Sequence, residues 1–155
     1  MTLWRLLHLL SLCLMMAGVG GTLVPIWRAG ATEQIERRVM LLEEAHKNET
    51  LMLLPGTIAL MFSGYAWATA SGINVIVTWW LVALQVLTMV DLFIFIPLMG
   101  VGLRRVRYLA LAAEKQGKVT DELRDAMADN VPLVFSTLIA ITIPFMVWLP
   151  VFKPF

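Results

Sequence analysis

Residues 51–103 read LMLLPGTIALMFSGYAWATASGINVIVTWWLVALQVLTMVDLFIFIPLMGVGL and hold a single charged residue, Asp91. A membrane-spanning helix needs about 20 mainly apolar residues. The stretch is therefore two spans, about 51–70 and 74–103, and the short SGIN link at 71–74 makes them antiparallel neighbours. Working outward, residues 3–27 and 131–152 have the same character. The chain of 155 residues is 59% hydrophobic and 15% charged, with a mean hydropathy of +0.80. Those values lie outside the range of soluble domains. Together they predict an all-α, integral membrane four-helix bundle, one transmembrane domain over residues 1–155.

The net charge is only +1, but its distribution carries more information than its sum. Ten of the twelve Lys and Arg residues fall in two links, 28–50 and 104–130; Arg5 and Lys153 lie at the other end. The positive-inside rule then puts both charged links in the cytoplasm and the N- and C-termini outside. Acids match bases in both links, so neither is a nucleic-acid surface. In the first link Glu33 and Arg37, and Glu43 and Lys47, stand four apart, while Ile35, Val39 and Leu42 form an apolar stripe. That segment extends the first helix into water or lies on the membrane surface. In the second, Thr120 is the expected N-cap of a short helix with Asp121 and Glu122 in its first turn, the chain turning back at Asn130 before Pro132.

Polar groups within the spans raise functional hypotheses because a bilayer makes them costly. His8 lies about 8 Å below the outer boundary at about 1.5 Å per residue. As a neutral imidazole it can ligate a haem iron, another pigment metal or copper, or it can hydrogen-bond across a helix contact. The other histidine, His46, belongs to the cytoplasmic link and cannot supply a second ligand. Asp91, about 25 Å down the third span, is open to three readings: a proton carrier, a partner's ion pair, or a residue satisfied by a hydrogen bond or by snorkelling. Gln85 is the remaining polar candidate. Trp4, Trp67, Trp79, Trp80 and Trp148 fall at the outer ends of their spans, which reads as an interfacial belt or as the lining of a flat-ligand or partner site. Ala17, Gly18 and Gly21 on the first span, with Gly64 and Ala68 on the second, have the spacing of close helix contact. Pro97 and Pro144 should kink the third and fourth spans.

No nucleophile with a base, paired carboxylates, phosphate loop or HExxH motif is legible, so the expected role is non-catalytic, with no metal site. Cys13 stands alone, without a disulfide partner. A cleaved signal peptide over residues 1–21 is disfavoured, because the apolar run continues through Ile26 without an A-x-A site.

The pattern of His8, Ala17 and Gly18, Pro25 and Arg28 resembles the first helix of small four-helix bacterial membrane proteins, among them the haem-containing protoporphyrinogen oxidases and the copper-resistance D-type proteins. WWLVALQVL at 79–87, the charged link RRVRYLALAAEKQGKVTDELRDAM at 104–127 and MVWLPVFKP at 146–154 are most similar to a related family of predicted integral membrane proteins. The oxidase resemblance implies a haem b ligand at His8. Those enzymes also use a lysine in the third helix after a Trp-Leu pair, whereas here Trp80 and Leu81 are followed by Val82, Ala83 and Leu84. The leading expectation is thus an accessory subunit in the bacterial cytoplasmic membrane, surrounded by lipid. It would pack as a homo-oligomer or against other integral subunits of a respiratory or photosynthetic complex. A haem b redox protein is the alternative, and a transporter or channel component the third.

Overall fold

The computed structural model describes residues 2–154, all of whose regular elements are helical. Helix α1 (Thr2–Ala31) is the first span. Helices α2 (Ile35–Asn48) and α3 (Leu54–Ala70) are joined without a break by a π-helical turn, Glu49–Leu53. The third rod repeats that design: α4 (Trp79–Val90), a π turn over Asp91–Phe95, then α5 (Ile96–Gln116). A short α6 (Asp121–Ala128) precedes the last span, α7 (Val131–Phe152). Four helices are long and apolar enough to cross a membrane.

Two expectations about the links need correction. The first does not prolong α1, which stops at 32–34; its polar residues form the first half of a rod of 36 residues that continues into the second span. The third rod begins at Trp79, not Asn74, and has 38 residues. Between α3 and α4, the Asn74 side-chain oxygen accepts from the backbone N–H of Ile76 and Val77, a local turn that delays the helix start. Rods of this size are about 54–57 Å long at about 1.5 Å per residue, against a hydrocarbon thickness of about 30 Å. The excess stands at the charged end, where α2, the last half of α5, α6 and the end of α1 bury a second core around Leu42, Leu103, Val106, Ala113 and Leu123. The span-level core is separate and forms around Met15, Leu53, Ile96, Met99 and Ile139.

Each π turn has a local cause. Pro55 and Pro97 stand six residues after Glu49 and Asp91. A proline nitrogen cannot donate, and its ring clashes with the carbonyl four residues back, here Leu51 and Phe93. Widening one turn, with Leu54 N–H reaching Glu49 O and Ile96 N–H reaching Asp91 O, lets the rod run on through the proline. The end of α1 is closed by Arg38, whose Nε donates to Ala29 O at 3.1 Å and whose Nη2 donates to Thr32 O. A cation bonded to the last carbonyls of a helix also complements its dipole. Thr120 caps α6 as expected, its hydroxyl accepting from Leu123 N–H, and Asn130 makes the turn into α7 in the left-handed region.

Span packing is closest where α1 crosses the second rod. A Cβ on Gly18 would run into the backbone of Leu53, and one on Gly56 would stand 2.6 Å from the Met15 nitrogen. Gly21 faces Asn48, whose Nδ2 donates to Gly21 O at 2.9 Å. Ala17, expected in this contact, faces outward. Ala68 is buried, and Gly64 meets His8. Gly18→Ala and Gly56→Ala are expected to lower stability by about 1–3 kcal/mol each through overpacking. Gly20→Ala, with nothing within 4 Å of its added methyl group, should leave it unchanged; reversible unfolding in mixed micelles measures all three.

Candidate functional site

At the tryptophan-rich end, His8 projects from α1 onto α3. Its Nδ1 lies 3.1 Å from Leu60 O and 3.3 Å from Ser63 Oγ. A carbonyl oxygen can only accept, so Nδ1 carries a proton, and in the neutral imidazole Nε2 then keeps its lone pair. The Ser63 hydroxyl is itself directed at Ala59 O, 2.6 Å away. Gly64 makes room for the ring, since a Cβ there would stand 3.0 Å from His8 Cε1. One turn further on, the Trp67 indole tilts against the imidazole, centroids 5.6 Å apart, and the Arg5 guanidinium lies 6.0 Å from the same indole. The α3 residues involved, Leu60, Ser63, Gly64 and Trp67, are spaced as one helix face, and Arg5 and His8 are three apart on α1.

The other tryptophans divide by role. Trp4, Trp79 and Trp148 are exposed, with Trp79 at 70%. Trp80 is half-buried and lies under the Lys153 ammonium, 5.6 Å from Nζ to ring centroid. These side chains are spread over several helices, as a belt requires, and do not converge on the imidazole.

Gln85 and Asp91 are each engaged within the fold. Tyr65 Oη donates to Gln85 Oε1 at 2.8 Å, and Gln85 Nε2 donates to Val75 O at 2.7 Å. One side chain therefore ties α3, the loop and α4 together. Asp91 is wholly buried at the start of its π turn. Thr142 Oγ1 lies 2.7 Å from both Asp91 Oδ2, linking the third rod to α7, and Ile139 O of its own helix, while Asp91 Oδ1 has no partner among the described residues. His8 and Asp91 share no hydrogen-bond partner.

A residue missed by sequence reasoning marks the other π turn. Glu49 is buried although it stands in a charged run. His46 Nδ1 lies 3.2 Å from its Oε2, and Arg104 approaches its Oε1 at 3.9 Å. Gly100 supplies the space, because a Cβ there would collide with Glu49 Oε1. Glu43 was expected to pair with Lys47; instead it accepts from Arg107 Nε at 2.6 Å, joining α2 to α5. No cluster of three His, Cys, Asp or Glu side chains suited to a metal ion occurs among the described residues.

The Asp91 contact can be tested by isosteric change. Asp91→Asn keeps an acceptor for Thr142, so a smaller loss of stability than in Thr142→Val is expected. Thr142→Val strips the buried carboxyl of its one donor, at an expected cost of about 1–3 kcal/mol. Both are read by unfolding in micelles, and a larger loss in Asp91→Asn than in Thr142→Val would contradict the assignment.

Searches of curated proteins and of solved structures returned no match. A family model does match, across residues 2–154, and the four candidate spans agree with its description. The chain is thus a multi-pass membrane protein and belongs to the family described as predicted integral membrane protein (DUF2269).

Proposed function

We propose that this chain is a non-catalytic subunit that packs within the membrane against a larger assembly, of the respiratory or photosynthetic kind. The observation that carries this reading is the engagement of His8: its N–H is directed at Leu60 and Ser63, and its ring is enclosed by Gly64 and Trp67. A polar side chain so placed is a helix-pairing device, as interhelical hydrogen bonds in membranes are. Gln85 and Asp91 have the same character, each bonded to a neighbouring segment of the chain. Outward-facing residues such as Trp79, Phe93 and Phe62 leave broad apolar surfaces on the bundle, and an oligomeric or heteromeric neighbour would cover part of them.

One observation favours a second reading. Histidines that bind metals commonly donate their other N–H to a backbone carbonyl, and the bond to Leu60 leaves Nε2 in the ligating form. This fits one axial ligand to a haem b. It does not fit a pair of histidines from one chain, since His46 is engaged with Glu49 at the charged end.

The readings part on the solubilised protein. The subunit reading expects a colourless preparation and stoichiometric co-migration with other membrane proteins on a native gel. In that case His8→Ala lowers stability by about 1–3 kcal/mol, because Leu60 and Ser63 lose their shared donor. A Soret band that survives purification and vanishes in His8→Ala would overturn this reading in favour of the haem protein.

A further inference from the structure

Helix α4 leans on α7 and has little contact with α3. Along the outer side of that pairing runs an apolar groove of about 440 Å³, lined on α4 by Ala83, Val86, Leu87 and Val90 and on α7 by Phe145, Trp148 and Leu149. Both sets follow the spacing of a single helix face. Ala83 is the small residue that keeps the groove open near its upper end. One turn above Ala83 stands Trp80, and one turn above Leu149 stands Lys153, whose ammonium lies over the Trp80 ring.

The charge of Lys153 has no matching side chain at this end of the bundle. Of the eleven acidic residues, all but Asp91 fall within 33–49 or 114–129, the two charged segments, and Asp91 is buried against Thr142. Arg5, the other cation at this end, likewise rests on an indole. An apolar trough that runs with the helices and ends at an ammonium on an aromatic face, with no Asp or Glu side chain beside it, has the chemistry of a phospholipid: hydrocarbon below, phosphate above. The groove residues from Ala83 to Val90 cover about 10 Å of depth at about 1.5 Å per residue, within the half-thickness of about 15 Å that one acyl chain occupies.

We propose that the groove between α4 and α7 is a binding site for one anionic phospholipid, with an acyl chain along Ala83, Leu87 and Val90 and the headgroup phosphate on Lys153. With no Asp or Glu side chain at this end to compete for it, the Lys153 ammonium favours a net-negative lipid over a zwitterionic one. This site is independent of the subunit reading and of any ligand at His8.

Native mass spectrometry of the full-length protein tests it, after delipidation and equilibration with equal amounts of phosphatidylglycerol and phosphatidylcholine. The wild type should retain one phosphatidylglycerol in preference to phosphatidylcholine by about fivefold, the size of effect one lysine has near an anionic bilayer. Lys153→Gln should abolish the preference while lipid is still retained. Ala83→Phe should lose the retained lipid altogether, and Val86→Phe, on the groove rim, provides the same test should Ala83→Phe fail to fold. Unchanged preference in Lys153→Gln, or unchanged retention in a folded groove-filling variant, overturns the proposal. So does a dimer that the groove-filling variants disrupt with lipid retention unaltered, which would assign the groove to a second copy of the chain.

Discussion

The approach of α1 to the second rod, backbone against backbone, is the constraint on which the rest of the bundle depends. Gly18 against Leu53 and Gly56 against Met15 leave no room for a side chain between the two axes. Lipid supplies no hydrophobic drive for helices to pair, so contact between small residues and interhelical hydrogen bonds must hold them. Both are present along this one seam. Asn48 reaches Gly21 O below the glycine contacts, and His8 reaches Leu60 O above them. Neither bond spans the gap if the helices separate by the width of a methyl group. The imidazole layer is thus a consequence of the glycine seam, and its geometry is set there.

The two prolines impose a second constraint. A straight α-helix cannot pass Pro55 or Pro97 without a carbonyl left unmatched, and the wide turns at Glu49 and Asp91 absorb that defect in each rod. Both turns open with an acid, and both acids are buried against a different element: Glu49 beside Gly100 and Arg104 of α5, Asp91 bonded to Thr142 of α7. Where the ladder is locally disturbed, an anchored side chain fixes the rotation of the rod. The recurrence of an acid with proline six residues later, across a mainly apolar stretch, at 49–55 and 91–97 is visible in the sequence once the turns are known.

Span number, helical class and the capping of α6 were legible in the sequence because each depends on local composition: apolar length, a threonine before two acids, an asparagine before proline. Continuity of the second rod was not. Residues 35–50 are polar enough to read as a link, and nothing local distinguishes an amphipathic helix that ends at Asn48 from one that continues through it. Gly56 was missed because small-residue spacing was sought within one helix, whereas the seam uses single glycines on opposite partners. Tyr65 with Gln85, and Asp91 with Thr142, depend on the register between helices 20 and 51 residues apart in sequence. Residue type marked Gln85 and Asp91 as important, but their partners lie outside any local window.

Location within the bundle separates two kinds of polar chemistry. Inside, His8, Gln85, Asp91 and Asn48 are committed to neighbouring segments of the same chain, and substituting them should act first on stability. At the surface, Lys153 and Arg5 are held on indole faces, with no ion pair to an Asp or Glu side chain among the described residues. Cation–π contacts at exposed sites contribute only about 0.5–1 kcal/mol, too little to bind either cation exclusively to its indole when a phosphate is offered. The charged end differs in kind: Arg107 with Glu43, Arg105 with Asp129 and Arg124 with Asp121 match cation to acid within the fold. At the tryptophan end no Asp or Glu side chain competes with a phosphate for Lys153, and the apolar groove between α4 and α7 opens there.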